Sequence, residues 1–97
     1  MPKTKILDGS HLIEENRLGL ESAFKWASRW GEVANNFPFS EELSGPDGMH
    51  FTLFVPEGVE HEEVSKAISV LRYDRDATGF TVYSLPKSFF EEMNWSL

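Results

Sequence analysis

Apolar residues recur at three- and four-residue spacing early in the chain. Leu20, Phe24, Ala27, Trp30 (or Gly31) and Ala34 fall on one side of a helix. The spacing predicts a helix over residues 10–34, interrupted near Gly19, with Ser10 as its N-cap and Pro38 lying past its end. The period then changes to two. His50-Phe51-Thr52-Leu53-Phe54-Val55 reads as a strand closed by Pro56 and Gly58. Before it, Ser44-Gly45-Pro46-Asp47-Gly48 is turn chemistry, in which Pro presets φ and Gly48 can accept a positive φ. A partner strand over Phe39–Leu43 would make this a hairpin.

Helical spacing returns over residues 60–71, with Val64, Ala67, Ile68 and Leu71 on one side. A polar loop over 74–79 leads to a second β-rich run, Phe80-Thr81-Val82-Tyr83-Ser84-Leu85. Pro86 then suits the first turn of a last helix over 87–94, which carries Phe89, Phe90 and Met93. The expected order is α-β-β-α-β-α. It implies one α+β domain over residues 1–97, with a short, mostly antiparallel sheet covered by helices. Eight Phe, three Trp and two Tyr supply the apolar bulk that a 97-residue core requires.

Composition narrows the chemistry by exclusion. With no cysteine, the chain has no disulfide, thiol nucleophile or thiolate metal site. No apolar run approaches the ~18 residues of a membrane span. The run Ile6-Leu7, ended by Asp8, is too short for the core of a signal peptide, so a cytoplasmic domain is expected. The formal charge of −7 argues against direct contact with nucleic acid or an anionic membrane, both of which need clustered Lys and Arg.

That charge is unevenly spread. Residues 1–29 carry five bases and four acids, and residues 66–97 carry four of each. Between Arg29 and Lys66 there is no base, but there are eight acids: Glu32, Glu41, Glu42, Asp47, Glu57, Glu60, Glu62 and Glu63. Two readings of the densest cluster, Glu57 to Glu63, stand side by side. Carboxylates in a first helical turn complement the helix dipole, and Glu62 precedes Lys66 at the i,i+4 spacing of a solvated pair. The same carboxylates could face a basic partner, since acids at i and i+3 such as Glu60 and Glu63 stand about 5–6 Å apart, comparable to phosphates along a strand. Asp47 suits a turn, and Glu41 and Glu42 suit a sheet edge guarded against stray pairing. A surface mixed for solubility alone intersperses both signs, which this stretch does not.

Signals for catalysis are sparse. His11, His50 and His61 share no motif, no serine sits in a G-x-S-x-G elbow, and there is no P-loop, dinucleotide fingerprint or H-E-x-x-H. A domain this small is also expected to have little spare volume for a pocket. His61 and its neighbouring glutamates lack metal-ligand spacing, so no metal or other cofactor is expected. Trp26 and Trp30, four residues apart, read as core or as interface anchors, and Trp95 as a clip for the last helix.

In size and charge, the chain resembles the small acidic inhibitors that bacteriophages and mobile elements encode, among them anti-CRISPR proteins and nucleic-acid mimics. The residues that carry the resemblance are Glu41, Glu42, Asp47, Glu57, Glu60, Glu62 and Glu63, with no base interleaved. It is similar in the same way to immunity proteins that neutralise a basic nuclease toxin. The resemblance implies a non-enzymatic DNA mimic that binds the basic surface of a nucleic-acid-binding complex through those residues. A cognate toxin encoded next door would favour the immunity reading instead. A small catalytic or ligand-binding domain centred on His50 or His61 is the third alternative.

Overall fold

The computed structural model describes residues 5–28, 37–43, 48–75 and 77–95. Its elements, in order, are β1 (Ile6–Asp8), α1 (Ser10–Glu15), α2 (Arg17–Ser28), β2 (Phe39–Leu43), β3 (Met49–Pro56), α3 (His61–Arg75), β4 (Ala77–Leu85) and α4 (Lys87–Glu92). They form one α+β domain around a four-stranded sheet in the order β1-β4-β3-β2.

The sheet corrects the antiparallel expectation. β4 runs parallel to both β3 and β1, and only the β2–β3 hairpin is antiparallel. The reason is the 15-residue helix between β3 and β4. A helical crossover carries the chain back to the starting edge of the sheet, so the next strand repeats the direction of the last. β1 is a further strand absent from the expected order, and at three residues it is too short to show a period.

Helix boundaries also differ. The first helical region breaks at Asn16 rather than Gly19. Asn16 ends α1, its backbone amide donating a hydrogen bond to the Leu12 carbonyl. It then opens α2, its own carbonyl accepting from Leu20 N and its side-chain oxygen from Gly19 N. Gly9, not Ser10, occupies the cap position of α1, and the Asp8 carboxylate takes both the amide and the hydroxyl of Ser10, at 3.0 and 2.7 Å. The polar loop expected over 74–79 is shorter, because α3 continues to Arg75 and β4 begins at Ala77. Residues 29–36 and 44–47 lie outside the described residues, and with them Trp30, Glu32, Ala34 and Asp47. The hairpin itself is present, Leu43 standing opposite Met49, and Gly48 takes φ +125°.

Strand alternation divides the core in two. Phe51, Leu53 and Val55 point to one face, where Val82 joins them and α3 covers them with Val64, Ala67, Ile68 and Leu71. Phe54 and Leu85 point to the other face, under Leu20, Ala23 and Phe24 of α2 and Phe89 and Phe90 of α4. α2 joins both clusters, since Ala27 is buried in the first and the Trp26 ring stands edge-on to Phe39 at 5.3 Å. Trp95 closes the second cluster as a clip. Its amide donates to the Phe90 carbonyl, and its ring meets Phe24 edge to face at 5.6 Å.

Candidate functional site

The parallel strands set the geometry of the acidic residues. β1, β3 and β4 point the same way, so their C-terminal ends share one margin of the sheet. Backbone bonds knit that margin together: Gly9 N donates to the Ser84 carbonyl and Glu57 N to the Leu85 carbonyl. Pro56 ends β3 there, Gly58 turns the chain at φ +81°, and α3 starts two residues beyond Val59. Glu57, Glu60, Glu62 and Glu63 are therefore brought to one end of the domain, and all four are exposed.

The start of α3 explains part of this arrangement without any partner. The Glu60 carbonyl accepts from the amides of Glu63 and Val64, which makes Glu60 the last residue before the helix rather than part of it. Glu62 and Glu63 lie in the first turn, where the exposed amide ends of the helix favour negative charge. Lys66 Nζ sits 3.8 Å from Glu62 Oε1 and 4.0 Å from Glu63 Oε1, which realises the pair expected from the spacing and adds a second. Among the described residues, no ion pair reaches Glu57 or Glu60.

The remaining candidates do not join this end. In the hairpin register, Glu41 stands opposite Phe51 and Glu42 opposite His50, at the start of β3. From His50 to Pro56, the last residue of β3, the chain advances six strand steps, about 20 Å at a strand's rise. The acidic stretch thus occupies two margins of the sheet. Asp47 lies outside the described residues.

The histidines are separated too. His11 and His61 are exposed, on α1 and at the start of α3. His50 is half-buried on the sheet face opposite Phe51, as alternation requires, and its Nε2 lies 2.9 Å from Thr81 Oγ1. Gly79 makes this contact possible, because a Cβ there would stand 2.9 Å from His50 Nδ1. Nothing in the sequence marks this pair, since 31 residues separate its members and only the β3–β4 register brings them together. Among the described residues, no three His, Asp or Glu side chains gather closely enough to hold a metal ion. None of the helices is long and apolar enough to cross a membrane, again among the described residues.

Two open hollows of about 450 Å³ each flank α2, one against the turn after α4 and the other beside Trp26 and Ser40. Neither contains a histidine. No protein-family model, curated protein or solved structure matches this chain.

Proposed function

We propose that this protein is a non-enzymatic inhibitor, and that its acidic end occupies the basic nucleic-acid-binding site of a defence or nucleic-acid-processing complex, as an anti-CRISPR-like DNA mimic does. The observation that carries the reading is the placement of Glu57 and Glu60. Both are exposed, neither is in an ion pair among the described residues, and both stand beside Glu62 and Glu63 at one end of a hydrogen-bonded sheet margin. A site built for phosphates is lined with Lys and Arg whose counterions leave on binding. Carboxylates held by a folded domain can meet the same cations without ordering a flexible strand, and their field steers encounter at low salt.

The test uses the tagged protein in host lysate at low and at high salt, followed by a challenge with duplex DNA. Mimicry predicts capture of a nucleic-acid-handling complex at low salt, with release by high salt and by the duplex. Glu60→Lys with Glu63→Lys should abolish capture and inhibition while leaving the far-UV circular dichroism unchanged. A double variant that inhibits normally would overturn this surface. A lysate that yields no basic partner at either salt would overturn the reading itself.

A further inference from the structure

We infer that the groove between α2 and the turn after α4 is the joint of a weak two-fold dimer, in which each chain receives the Leu18 side chain of the other. The inference goes beyond the acidic surface and concerns a different face, since none of Glu57, Glu60, Glu62 and Glu63 lines this groove. Leu18 and Tyr73 are the large apolar side chains most exposed among the described residues, at 79% and 87%. Tyrosine keeps a hydroxyl in water, whereas leucine has no polar atom, so it is the exposure of Leu18 that costs free energy. Leu18 stands on the lining of the groove, whose walls include Phe24 and Met93 and whose volume is about 450 Å³. A projecting side chain beside a recess on the same patch is self-complementary, the condition for a closed two-fold contact. A projection and a recess on separate faces would instead build an open chain of molecules.

Charge selects a second copy over other occupants. The chain carries a formal −7, so two copies repel in most approaches. Around this groove the signs cancel. Arg17 holds Glu92 at 2.7 Å and Glu21 at 3.7 Å, and Lys25 is the second base on the patch. A neutral patch draws neither a basic nor an acidic partner, but it is where two acidic chains meet at least electrostatic cost. Along α2, Leu18, Glu21, Ser22 and Lys25 recur at three- and four-residue spacing and form one face. Two such faces set antiparallel across a two-fold axis bring Leu18 to Lys25 and Glu21 to Ser22, with no like charges opposed. Lysine then offers its aliphatic stem to the leucine, and the small Ser22 near the axis lets the helices approach.

Sedimentation equilibrium of the full chain, up to ~1 mM, tests the joint. The mass should rise from 11.1 kDa towards twice that value and stop there. Leu18→Ser should weaken the dimer about tenfold or more, the factor that burying one leucine represents, with an unchanged far-UV circular dichroism spectrum. Ser22→Arg should weaken it as well, and Tyr73→Ser should not. Raising the salt from about 0.01 M to about 0.15 M shortens the screening length from about 30 to about 8 Å and should tighten the dimer, because it removes repulsion between two acidic chains. Capture of a basic partner must weaken under the same change, so the two ideas fail separately. A mass of 11.1 kDa at every concentration overturns the joint and leaves the acidic surface standing. Growth beyond two chains, or an association that Leu18→Ser leaves intact, overturns it equally.

Discussion

Replacing Phe24 by alanine should remove a large part of the stability of this domain. Phe24 is 3% exposed and connects α2 with β3, α4 and the C-terminal turn. Its ring lies 5.1 Å from Phe90, 5.4 Å from Phe89 and 5.6 Å from Trp95, all edge to face, and 6.3 Å from Phe54 in a stacked arrangement. All four separations fall within the range where aromatic pairs add to simple burial. A buried Phe→Ala change costs about 3–5 kcal/mol, the lost transfer energy plus the cavity left behind. A natural domain of this length has roughly 5–15 kcal/mol in total, so the loss is about a fifth of it or more. At about 4–8 °C per kcal/mol for a domain of this size, the melting temperature should fall by more than ~12 °C. Urea unfolding followed by circular dichroism measures the change directly, with an unaltered denaturant slope as the check that two-state behaviour persists. Tyr73→Ala is the control, because Tyr73 is 87% exposed and should cost less than about 0.5 kcal/mol. A Phe24→Ala loss below about 1 kcal/mol would refute the placement of this ring at the junction of the four segments.

Two further tests address local contacts. Gly79→Ala puts a Cβ against the His50 ring, so the imidazole must leave Thr81; the expected loss is about 0.5–1.5 kcal/mol, and it should vanish in a His50→Ala background. Additive losses in that double-mutant cycle would show that ring and glycine do not compete for space. The Asp8 carboxyl accepts from the Ser10 amide and then from its hydroxyl, which together hold it below its ordinary 3.8, so Ser10→Ala should raise its midpoint part of the way back in an NMR titration. Because the folded-state value is lowered, the Asp8 contribution is complete above pH 3.8 and is lost as pH falls from 3.8 through the lowered folded-state midpoint, over a narrower window in the variant. An unmoved midpoint would show that the backbone amide alone lowers it.

How far the structure could be read from the sequence depended on whether a signal was local. β3 was legible because its β-rich run and the Pro56 that closes it are local, whereas β2 could be read only as the partner that a hairpin would need. The apolar stripes of α2 and α3 were legible because Leu20, Phe24 and Ala27, and likewise Val64, Ala67, Ile68 and Leu71, are buried at helical spacing. β1 was not, since Ile6–Asp8 becomes a strand only by pairing with β4, more than seventy residues later in the chain. The parallel direction of β4 was hidden for the same reason, as it follows from where α3 returns the chain and not from any residue in β4. The break at Asn16 had a local signal that the apolar stripe obscured, because asparagine can cap a helix as readily as glycine can interrupt one. Of the candidate site, the charge was visible and its distribution was not. Glu41 and Glu42 are acids of the same stretch as Glu57, but the register of β2 places them toward the far margin.

That distribution makes Lys66 the informative residue for the proposed function. Among the described residues its ammonium is the base that approaches Glu62 and Glu63, at 3.8 and 4.0 Å, and the three side chains are 66%, 79% and 49% exposed. Pairs this exposed contribute about 0–1 kcal/mol to folding, so replacing Lys66 by methionine, which keeps the aliphatic stem, should leave stability nearly unchanged. Its effect on binding has a definite sign. If the start of α3 enters a basic site, the Lys66 ammonium opposes the partner's cations and partly neutralises the acids meant for them. Lys66→Met should therefore bind the partner more tightly at low salt, about twofold if the cation's removal is worth the ~0.4 kcal/mol typical of an exposed pair. The gain should disappear at high salt, because screening shortens from about 10 Å at 0.1 M to about 3 Å at 1 M. Glu60→Lys with Glu63→Lys must move affinity in the opposite direction under the same conditions, which separates a charge effect from damage to the fold. Weaker binding by Lys66→Met would place this lysine among the residues that contact the partner's own acids. Unchanged binding across the salt range would put the start of α3 outside the interface and return its glutamates to the helix dipole they already satisfy.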